Sequence, residues 1–276
     1  MVFRRILLPG KVSVKILACI PARYSSTRFA GKVLAKDTGK FLIQHTWERA
    51  CLAKLPDKVI IAADDERIAE AAESFGAECV LTSPEHKSGT DRIAEAVADI
   101  DVDIVVNLQA DEPEIDPENI DLLARLLVET KNSKLKTKNY QMATLAAEFQ
   151  TAEQIADPNI VKVVVTSHEP RVTSHEIGRA IYFSRSPIPY DRQKGGIGDI
   201  KQYLRHVGIY AYRKDFLLKL TALPQTPLEK IEKLEQLRAI ENGFAILVGK
   251  VKHTCDGIDT PQQYAEFVAR YSSGLS

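Results

Sequence analysis

The feature that most narrowly limits the fold of this chain is the regular alternation of short apolar runs with amphipathic segments in its first half. Four runs rich in β-branched residues are predicted strands: VKILACI (14–20), KVIIAA (58–63), AECVL (77–81) and DIVVNLQ (103–109). Segments with helical periodicity follow them, so the pattern predicts βαβ units and a largely parallel sheet in an α/β protein. Ligands of such sheets bind beyond the carboxyl ends of the strands.

The second half has a different pattern. Closely spaced strand-like runs, with no helix of similar weight between some of them, favour an antiparallel extension. These runs are QMATLAAEF (141–149), IVKVVVTS (160–167), RAIYFSR (179–185) and RHVGIYAYR (205–213). Helices are predicted at about 227–242 and at 261–272, and the lysine-rich segment 131–139 is predicted to be a surface connection.

Charge and cysteine content exclude several classes of protein. The 276 residues include 37 basic and 37 acidic side chains, so a broad nucleic-acid-binding surface is not expected, although a local basic pocket is compatible with this balance. The four cysteines are scattered without a C-x-x-C pair, which argues against a disulfide framework or a zinc site and favours a reducing compartment. No stretch approaches the ~20 apolar residues of a membrane span. We therefore expect a cytoplasmic protein without membrane or nucleic-acid partners, preceded by a tail over 1–14.

A loop with three cationic side chains follows the first predicted strand. In IPARYSSTRFAGKVL (20–34), Arg23, Arg28 and Lys32 lie among small and polar residues. The loop matches neither a P-loop nor a G-x-G-x-x-G fingerprint, because the required glycines are missing. Arginine and lysine donors suit several phosphate oxygens, so either an anion such as a phosphate chain binds here or the loop is a solvated basic turn.

Two acidic residues are not needed for helix capping. Asp116 can cap the helix that follows Asp111, and Thr260 can cap the last helix, directly after Asp259. A carboxylate at a strand end near phosphates is a suitable ligand for Mg²⁺. The spacing leaves open whether Asp111 and Asp259 meet, and each can also be a solvated loop acid.

Other polar side chains give weaker signals. Ser88 precedes a helix start whose N–H groups can contact a base or phosphate, although an ordinary capped helix is the favoured interpretation of that segment alone. In the helix predicted over 227–242, a buried stripe is expected to contain Leu228, Ile231, Leu234 and Leu237. Glu235 and Gln236 lie at its edge, facing either a cleft or solvent. Strand-borne side chains that suit carboxylates and sugar hydroxyls are Arg185, Arg192, His206 and Tyr210.

Taken together, these segments resemble the 3-deoxy-manno-octulosonate cytidylyltransferases, or CMP-Kdo synthetases, from about residue 15 to 270. The resemblance is carried by eight segments in one order: IPARYSSTRFAGKVL, SGTDRIAEA, NLQADEP, DPNIVKVV, YFSRSPIPYDR, RHVGIYAYR, LEKIEKLEQLRAIENG and GIDTP. The chain departs from the family at Ala110, where glycine is usual, and at Phe29-Ala30 and Val33, where Leu-Pro and Pro are common. A positive φ at Ala110 would disturb the backbone beside the nucleotide, and the loop changes leave its stiffness and nucleotide affinity open.

The resemblance implies a Rossmann-like nucleotide-diphospho-sugar transferase fold. Its central sheet is mostly parallel, with a smaller antiparallel extension for dimerisation and sugar binding. The implied domain spans 15–276, with a nucleotide-binding half at 15–130 and a sugar-binding and dimerisation half at 140–276. The implied reaction is CTP + Kdo → CMP-Kdo + pyrophosphate, where Kdo is 3-deoxy-D-manno-octulosonate. It depends on Mg²⁺, serves lipopolysaccharide biosynthesis and is carried out by a homodimer.

The resemblance also implies roles for individual residues. The implied catalytic residues are Arg23, Lys32, Asp111 and Asp259. The implied CTP contacts are Ala22, Arg23, Ser25, Arg28, Lys32, Ser88, Arg92 and Gln109. The implied Kdo contacts are Gln109, Arg185, Arg192, His206, Tyr210, Glu235 and Gln236. The implied Mg²⁺ ligands are Asp111 and Asp259.

Two alternatives stay open at this point. The same transfer can act on an 8-amino analogue of Kdo or on a nonulosonic acid of the sialic type. A non-catalytic nucleotide-binding module with the same fold is the alternative from another class. A nicotinamide-dependent oxidoreductase is excluded by the missing glycine fingerprint.

Overall fold

A computed structural model of the chain describes residues 14–25, 28–132, 140–166, 177–252 and 254–274. The predicted tail over 1–14 lies outside the described residues except for Val14, which is buried. Most of the predicted surface connection, 133–139, also lies outside them. In the described parts of the chain, no helix is long and apolar enough to cross a membrane.

Helices and strands alternate along the first part of the chain. Their bounds are β1 Ile16–Ala22, α1 Leu42–Cys51, β2 Lys58–Ala63, α2 Glu66–Ser74, β3 Glu78–Leu81, α3 Gly89–Val97, β4 Ile104–Asn107 and α4 Pro117–Asn132. The remaining elements are β5 Met142–Glu148, α5 Ala152–Ala156, β6 Lys162–Val165, β7 Ile177–Ser184, β8 Leu204–Arg213, α6 Lys214–Ala222, α7 Pro227–Glu232, α8 Gln236–Glu241, β9 Ile246–Val251 and α9 Pro261–Ser272. The chain divides into two compact units, one formed by Met1–Asp121 with Cys255–Ser276 and the other by Leu122–Thr254.

The first unit contains parallel strands in the order β3-β2-β1-β4. Strand β1 pairs with strands on both sides, and its residues from Ile16 to Ile20 are buried. This is the continuous apolar pattern expected of a parallel strand covered on both faces. The predicted parallel α/β arrangement is therefore confirmed.

The parallel pairing places the loops after β1, β2 and β4 at the same edge of this sheet. Ala22 is followed by the cationic loop, Ala63 by Asp64, and Asn107 by the segment that contains Asp111. Functional side chains on these loops are thus gathered by the sheet and not by closeness in sequence.

The second unit contains strands in the order β8-β5-β9-β7-β6. Strand β5 is antiparallel to β8 and parallel to β9, while β7 is antiparallel to both β9 and β6. The antiparallel character predicted for this half is confirmed. Strand β9 was not predicted, although its apolar run follows Gly243, a glycine with φ of 77° that marks a turn.

The single helix predicted over 227–242 is wrong. Lys233 adopts a left-handed conformation, with φ of 55°, and separates α7 from α8. The turn changes which side chains are buried: Ile231 is 77% exposed, whereas Leu234 and Leu237 are buried and Leu228 is half-buried. A continuous stripe is lost because the helical period does not continue through a left-handed residue.

Candidate functional site

The cationic loop of the first unit is fixed at its base. The Gly31 amide donates to the Tyr24 carbonyl at 3.3 Å, and Gly31 has a φ of 65°, which glycine adopts without a Cβ penalty. The Tyr24 amide donates to Asp64 Oδ1 at 2.9 Å, and the Arg67 guanidinium lies 3.4 Å from the Tyr24 ring centre. The two ends of the loop, at Tyr24 and Gly31, are therefore held in place by these contacts.

Four charged side chains meet where this loop returns. Lys32 is buried, and its Nζ donates to Asp111 Oδ2 at 2.6 Å and to Asp259 Oδ1 at 3.2 Å. Arg28 Nη2 lies 3.0 Å from the same Asp259 oxygen. The two acids that sequence spacing could not relate to each other therefore contact one ammonium group.

The backbone explains why these acids are neighbours. The Ile258 amide donates to the Asp111 carbonyl at 2.8 Å, so the segment before α9 runs beside the segment after β4. Gly257 also lies here, where an added Cβ would be 3.5 Å from Asp111 Oδ1. The long-range contact thus brings a C-terminal acid to the edge of the parallel strands.

The geometry suits a divalent cation. Two carboxylates that already face one positive charge are hard oxygen ligands of the kind that Mg²⁺ binds, usually with few protein ligands and with phosphate and water completing its shell. Within the described residues there is no group of three or more His, Cys, Asp or Glu side chains that could hold a metal ion. A cation held by Asp111 and Asp259 would therefore complete its shell with water or phosphate oxygens.

The other predicted residues of the cationic loop differ in exposure. Arg23, Ser25 and Arg28 are exposed, and Ala22 is buried at the end of β1. The side chains of Arg23 and Arg28 are thus accessible to an anion in solvent, whereas Lys32 is buried beside Asp111 and Asp259.

Ser88 and Arg92 lie at the start of α3. Ser88 Oγ accepts the Asp91 amide at 3.0 Å, which is an ordinary N-cap. Arg92 is fully buried and donates to Thr82 Oγ1 at 2.6 Å and to Asp64 Oδ2 at 3.3 Å. Its Nε–H has no hydrogen-bond partner among the described residues. A contact between Arg92 and cytidine stays a prediction.

Asp64 was not identified from the sequence. Its carboxylate accepts hydrogen bonds from the Tyr24 amide and from Arg92, so it connects the cationic loop to α3. Burial lowers the pKa of Arg92, and the Asp64 charge opposes this shift. The guanidinium stays protonated, as arginine does throughout proteins. The available signal was an acid directly after strand β2, the same signal that identified Asp111 after β4.

The departures from the family pattern are accommodated locally. Lys233 is the only non-glycine residue with positive φ in the described parts of the chain, so Ala110 carries no such strain. The Phe29 ring packs on Tyr264, with ring centres 5.6 Å apart, and Val33 is buried. Apolar contacts therefore anchor the loop where proline is common in the family.

Two predicted sugar-site residues lie side by side in the second unit. His206 Nε2 is 3.0 Å from Thr144 Oγ1, and its ring packs against Phe183 and Tyr210. Desolvation by these neighbours lowers the pKa of His206 to about 3, so the ring is neutral at physiological pH. Burial and the nearby Glu235 charge raise the pKa of Tyr210, which therefore keeps its O–H.

The remaining predicted sugar-site residues have varied environments. Arg185 is half-buried and Arg192 is exposed. Glu235 is half-buried at the start of α8, whereas Gln236 is buried and its Nε2 has no hydrogen-bond partner among the described residues. An unpaired buried donor of this kind suits a ligand oxygen. Gln109, half-buried just after β4, belongs to the first unit.

Comparison with known proteins identifies the family of the chain. The profile of the family described as Cytidylyltransferase matches residues 17–250. The 3-deoxy-manno-octulosonate cytidylyltransferase of Solibacter usitatus is 47% identical over 248 residues, which cover 90% of this chain and 91% of the relative. The protein of the same name from Geobacter metallireducens is 44% identical over 269 residues, covering 94% and 98%.

A solved structure shares the fold. CMP:2-keto-3-deoxy-manno-octonic acid synthetase, complexed with CTP, is 38% identical with a TM-score of 0.83, and the match covers 95% of this chain and 100% of that chain. The predicted nucleotide-diphospho-sugar transferase fold is thereby confirmed. The chain belongs to the cytidylyltransferase family and, within it, to the 3-deoxy-manno-octulosonate cytidylyltransferases.

Proposed function

We propose that this protein is a nucleotidyltransferase that transfers CMP from CTP to Kdo, releasing pyrophosphate and supplying CMP-Kdo for lipopolysaccharide biosynthesis. The observation that carries the proposal is the contact of Lys32 with Asp111 and Asp259 at the carboxyl edge of the parallel strands. It combines a cation for phosphates with a carboxylate pair for a metal, in a chain similar to enzymes of this name. A binding module that performs no chemistry has less need of a carboxylate pair that can hold a metal ion.

In this proposal the triphosphate binds at the cationic loop. Arg23 and Arg28 contact phosphate oxygens from the exposed side of the loop, since guanidinium groups pair well with several oxygens at once. Lys32 adds a point charge next to Asp111 and Asp259. The enzyme contributes chiefly by positioning the phosphates and by stabilising their charge.

Mg²⁺ would be held by Asp111 and Asp259. Bound there, it would supply Lewis-acid charge neutralisation for the phosphate oxygens. The role of the chain's own residues is to keep the two carboxylates together, which the Ile258–Asp111 backbone hydrogen bond already does. The requirement for Mg²⁺ is part of the proposal.

The acceptor sugar contacts residues of the second unit. Arg185 pairs with its carboxylate, and neutral His206, the Tyr210 hydroxyl and the Gln236 amide contact its hydroxyl groups, with Glu235 and Arg192 as further contacts. The anomeric C2 oxygen of Kdo then attacks the α-phosphorus of CTP in line. A new P–O bond forms, the bond to pyrophosphate breaks, and the hydroxyl proton is released to solvent.

The cellular setting belongs to the same proposal. The four cysteines are free thiols, which fits a reducing compartment, so we place the enzyme in the cytoplasm as part of the proposal. We propose a homodimer formed through the second unit, without a nucleic-acid or membrane partner. Size-exclusion chromatography with light scattering would distinguish a dimer of about twice 30.7 kDa from a monomer.

A pyrophosphate-release assay tests the proposal. With CTP, Kdo and Mg²⁺ we expect release that stops when EDTA is added and resumes with excess Mg²⁺. The 8-amino analogue and sialic acid are assayed in parallel. If either has a higher kcat/KM than Kdo, that sugar is the acceptor instead of Kdo. Absence of pyrophosphate with every sugar would indicate the binding module instead.

A further inference from the structure

Lys162 is a buried lysine that the proposed mechanism does not use. It lies at the start of β6 and is fully buried, although lysine usually keeps its ammonium group in water. Its Nζ donates to the carbonyls of Asp157 at 3.0 Å and Ile160 at 2.7 Å. Among the described residues no carboxylate is within ion-pair distance of it, so neutral carbonyl groups hold this charge at a cost in desolvation.

The two carbonyls belong to the turn formed by residues 157–161, between α5 and β6. Within this turn the Ile160 amide donates to the Asp157 carbonyl at 3.2 Å, and the Asn159 amide donates to Asp157 Oδ1 at 2.8 Å. The Lys162 ammonium adds two further hydrogen bonds, to the carbonyls of Asp157 and Ile160. It therefore fixes the directions of the other carbonyls in the turn.

Those other carbonyls contact two residues of the proposed sugar site. Arg185 Nη1 donates to the Pro158 carbonyl at 2.9 Å, and the His206 amide donates to the Val161 carbonyl at 2.8 Å. The sheet register agrees, because Lys162 pairs with the residues that directly precede Arg185 and His206. The turn is thus bonded to the Arg185 side chain and to the backbone of His206.

The Arg185 charge stays available in this arrangement. Its Nε donates to the Glu232 carbonyl at 2.7 Å, while the Glu232 carboxylate is occupied by Ser184 Oγ and the Arg185 amide. Burial lowers the pKa of Lys162, and the Arg185 cation lowers it further, with Asp157 and Glu232 opposing. Two cations held largely by carbonyls suit an anionic ligand.

We propose that Lys162 is a positioning residue for the acid sugar. By holding the 157–161 turn, it aims the Arg185 guanidinium at the carboxylate of the sugar. The inference rests on the proposed function, since it assigns a support to that same acceptor site.

The test compares Lys162→Met, which keeps the linear stem and removes the donors, with Arg213→Met as a matched control. Arg213 is also a cation of the second unit bonded to backbone carbonyls, those of Tyr140 and Leu127, and it has no proposed role in sugar binding. We expect Lys162→Met to lower kcat/KM for Kdo about 10–100-fold, mainly through KM, with KM for CTP within about twofold of wild type. Arg213→Met should lower thermal stability by about as much as Lys162→Met does, but it should leave KM for Kdo and KM for CTP unchanged.

A double-mutant cycle separates positioning from a purely structural role. If Lys162 acts through Arg185, the variant carrying Lys162→Met and Arg185→Met should have the KM for Kdo of Arg185→Met alone. If the two substitutions instead raise KM for Kdo by factors that multiply in the double variant, the inference is overturned. A folded Lys162→Met variant with unchanged KM for Kdo would also overturn it. Lys162→Gln is the second variant if Lys162→Met does not fold, and failure of both to fold would assign Lys162 to the fold alone. An inactive wild-type enzyme would instead refute the proposed function.

Discussion

The Lys32 ammonium lies 2.6 Å from Asp111 Oδ2 and so occupies one side of a carboxylate pair that suits a divalent cation. Asp259 accepts a hydrogen bond from the same ammonium and also forms an ion pair with Arg28. Basic and acidic groups therefore neutralise one another while no phosphate is bound. If the triphosphate binds as proposed, it would attract the two cations and leave the carboxylates available to a metal ion. Nucleotide and metal binding should for this reason support each other.

Asp111→Asn is the first test of this arrangement. The amide keeps the shape of the side chain but removes the negative charge that a metal ion requires. We expect kcat/KM for CTP to fall about a hundredfold or more, with thermal unfolding close to that of wild type. Calorimetric titration of Mn²⁺ in the presence of CTP should show weakened metal binding, a readout that does not depend on turnover.

Asp116→Asn is the matched control for that variant. Asp116 lies in the same segment, but its carboxylate accepts the Glu118 amide at the start of α4, and asparagine caps a helix equally well. Activity and Mn²⁺ binding should be unchanged. Near-normal turnover in Asp111→Asn would remove Asp111 from the metal site.

Lys32→Met should have opposite effects on nucleotide binding and on metal binding. Loss of the ammonium removes a charged hydrogen bond to phosphate, so we expect KM for CTP to rise about 10–100-fold. Without CTP, the variant should bind Mn²⁺ more tightly than wild type, because the carboxylates no longer share a cation. Lys36→Met, at a lysine whose ammonium lies over the Phe41 ring, should change neither quantity. Weaker Mn²⁺ binding in Lys32→Met would contradict the competition described here.

Local sequence signals predicted the elements that they specify directly. Strand β2 covers the predicted 58–63, and α9 covers the predicted 261–272 with the expected capping box between Thr260 and Gln263. In both cases the apolar period and the end signals lie within the element itself. The loops that follow the strands of the parallel sheet also directed attention to Arg28, Lys32 and Asp111, which the structure brings together around Asp259. Their role in binding stays a prediction.

Contacts between distant segments could not be predicted in this way. Lys233 has no intrinsic preference for a left-handed conformation, and the break there accompanies a buried pair formed by Glu229 and Arg238. Asp64 was overlooked because its partners, Tyr24 and Arg92, lie on other elements. The partners of Lys162 are close in sequence, but its contacts depend on the way the 157–161 turn folds over a buried side chain. The distance between Asp259 and Asp111 likewise depends on how the C-terminal segment packs.

The Glu229–Arg238 pair should contribute to stability in a pH-dependent way. Both side chains are buried, and Arg238 donates to the two carboxylate oxygens at 2.6 and 2.9 Å. Glu229→Gln leaves a buried guanidinium without its counter-charge, so the free energy of unfolding should fall by about 3 kcal/mol at pH 7. Urea denaturation measures this, with the exposed Glu73→Gln as a control that should stay within about 0.5 kcal/mol.

The direction of the pH effect follows from the pKa of Glu229. Burial raises that pKa, but hydrogen bonds from Arg238 and the Thr226 amide outweigh burial, so the folded-state pKa is lowered. The stabilisation is therefore complete above the unfolded-state pKa of about 4.3 and is lost as the pH falls through the folded-state value. The difference between wild type and Glu229→Gln should be constant from pH 7 to about 5 and should shrink below about 4. A difference that grows in acid would show that the carboxylate is not stabilised in its charged form.

Gln236 offers a test in which binding and stability change in opposite directions. Its Nε2 is buried and has no hydrogen-bond partner among the described residues, so the folded protein without substrate bears the cost of an unsatisfied donor. Gln236→Leu removes that donor with little change of volume, and the free energy of unfolding should stay equal or rise. If the donor serves a sugar hydroxyl, KM for Kdo should rise about tenfold or more while KM for CTP is unchanged. A destabilised variant with normal KM for Kdo would mean that Gln236 is paired within the protein and has no part in sugar binding.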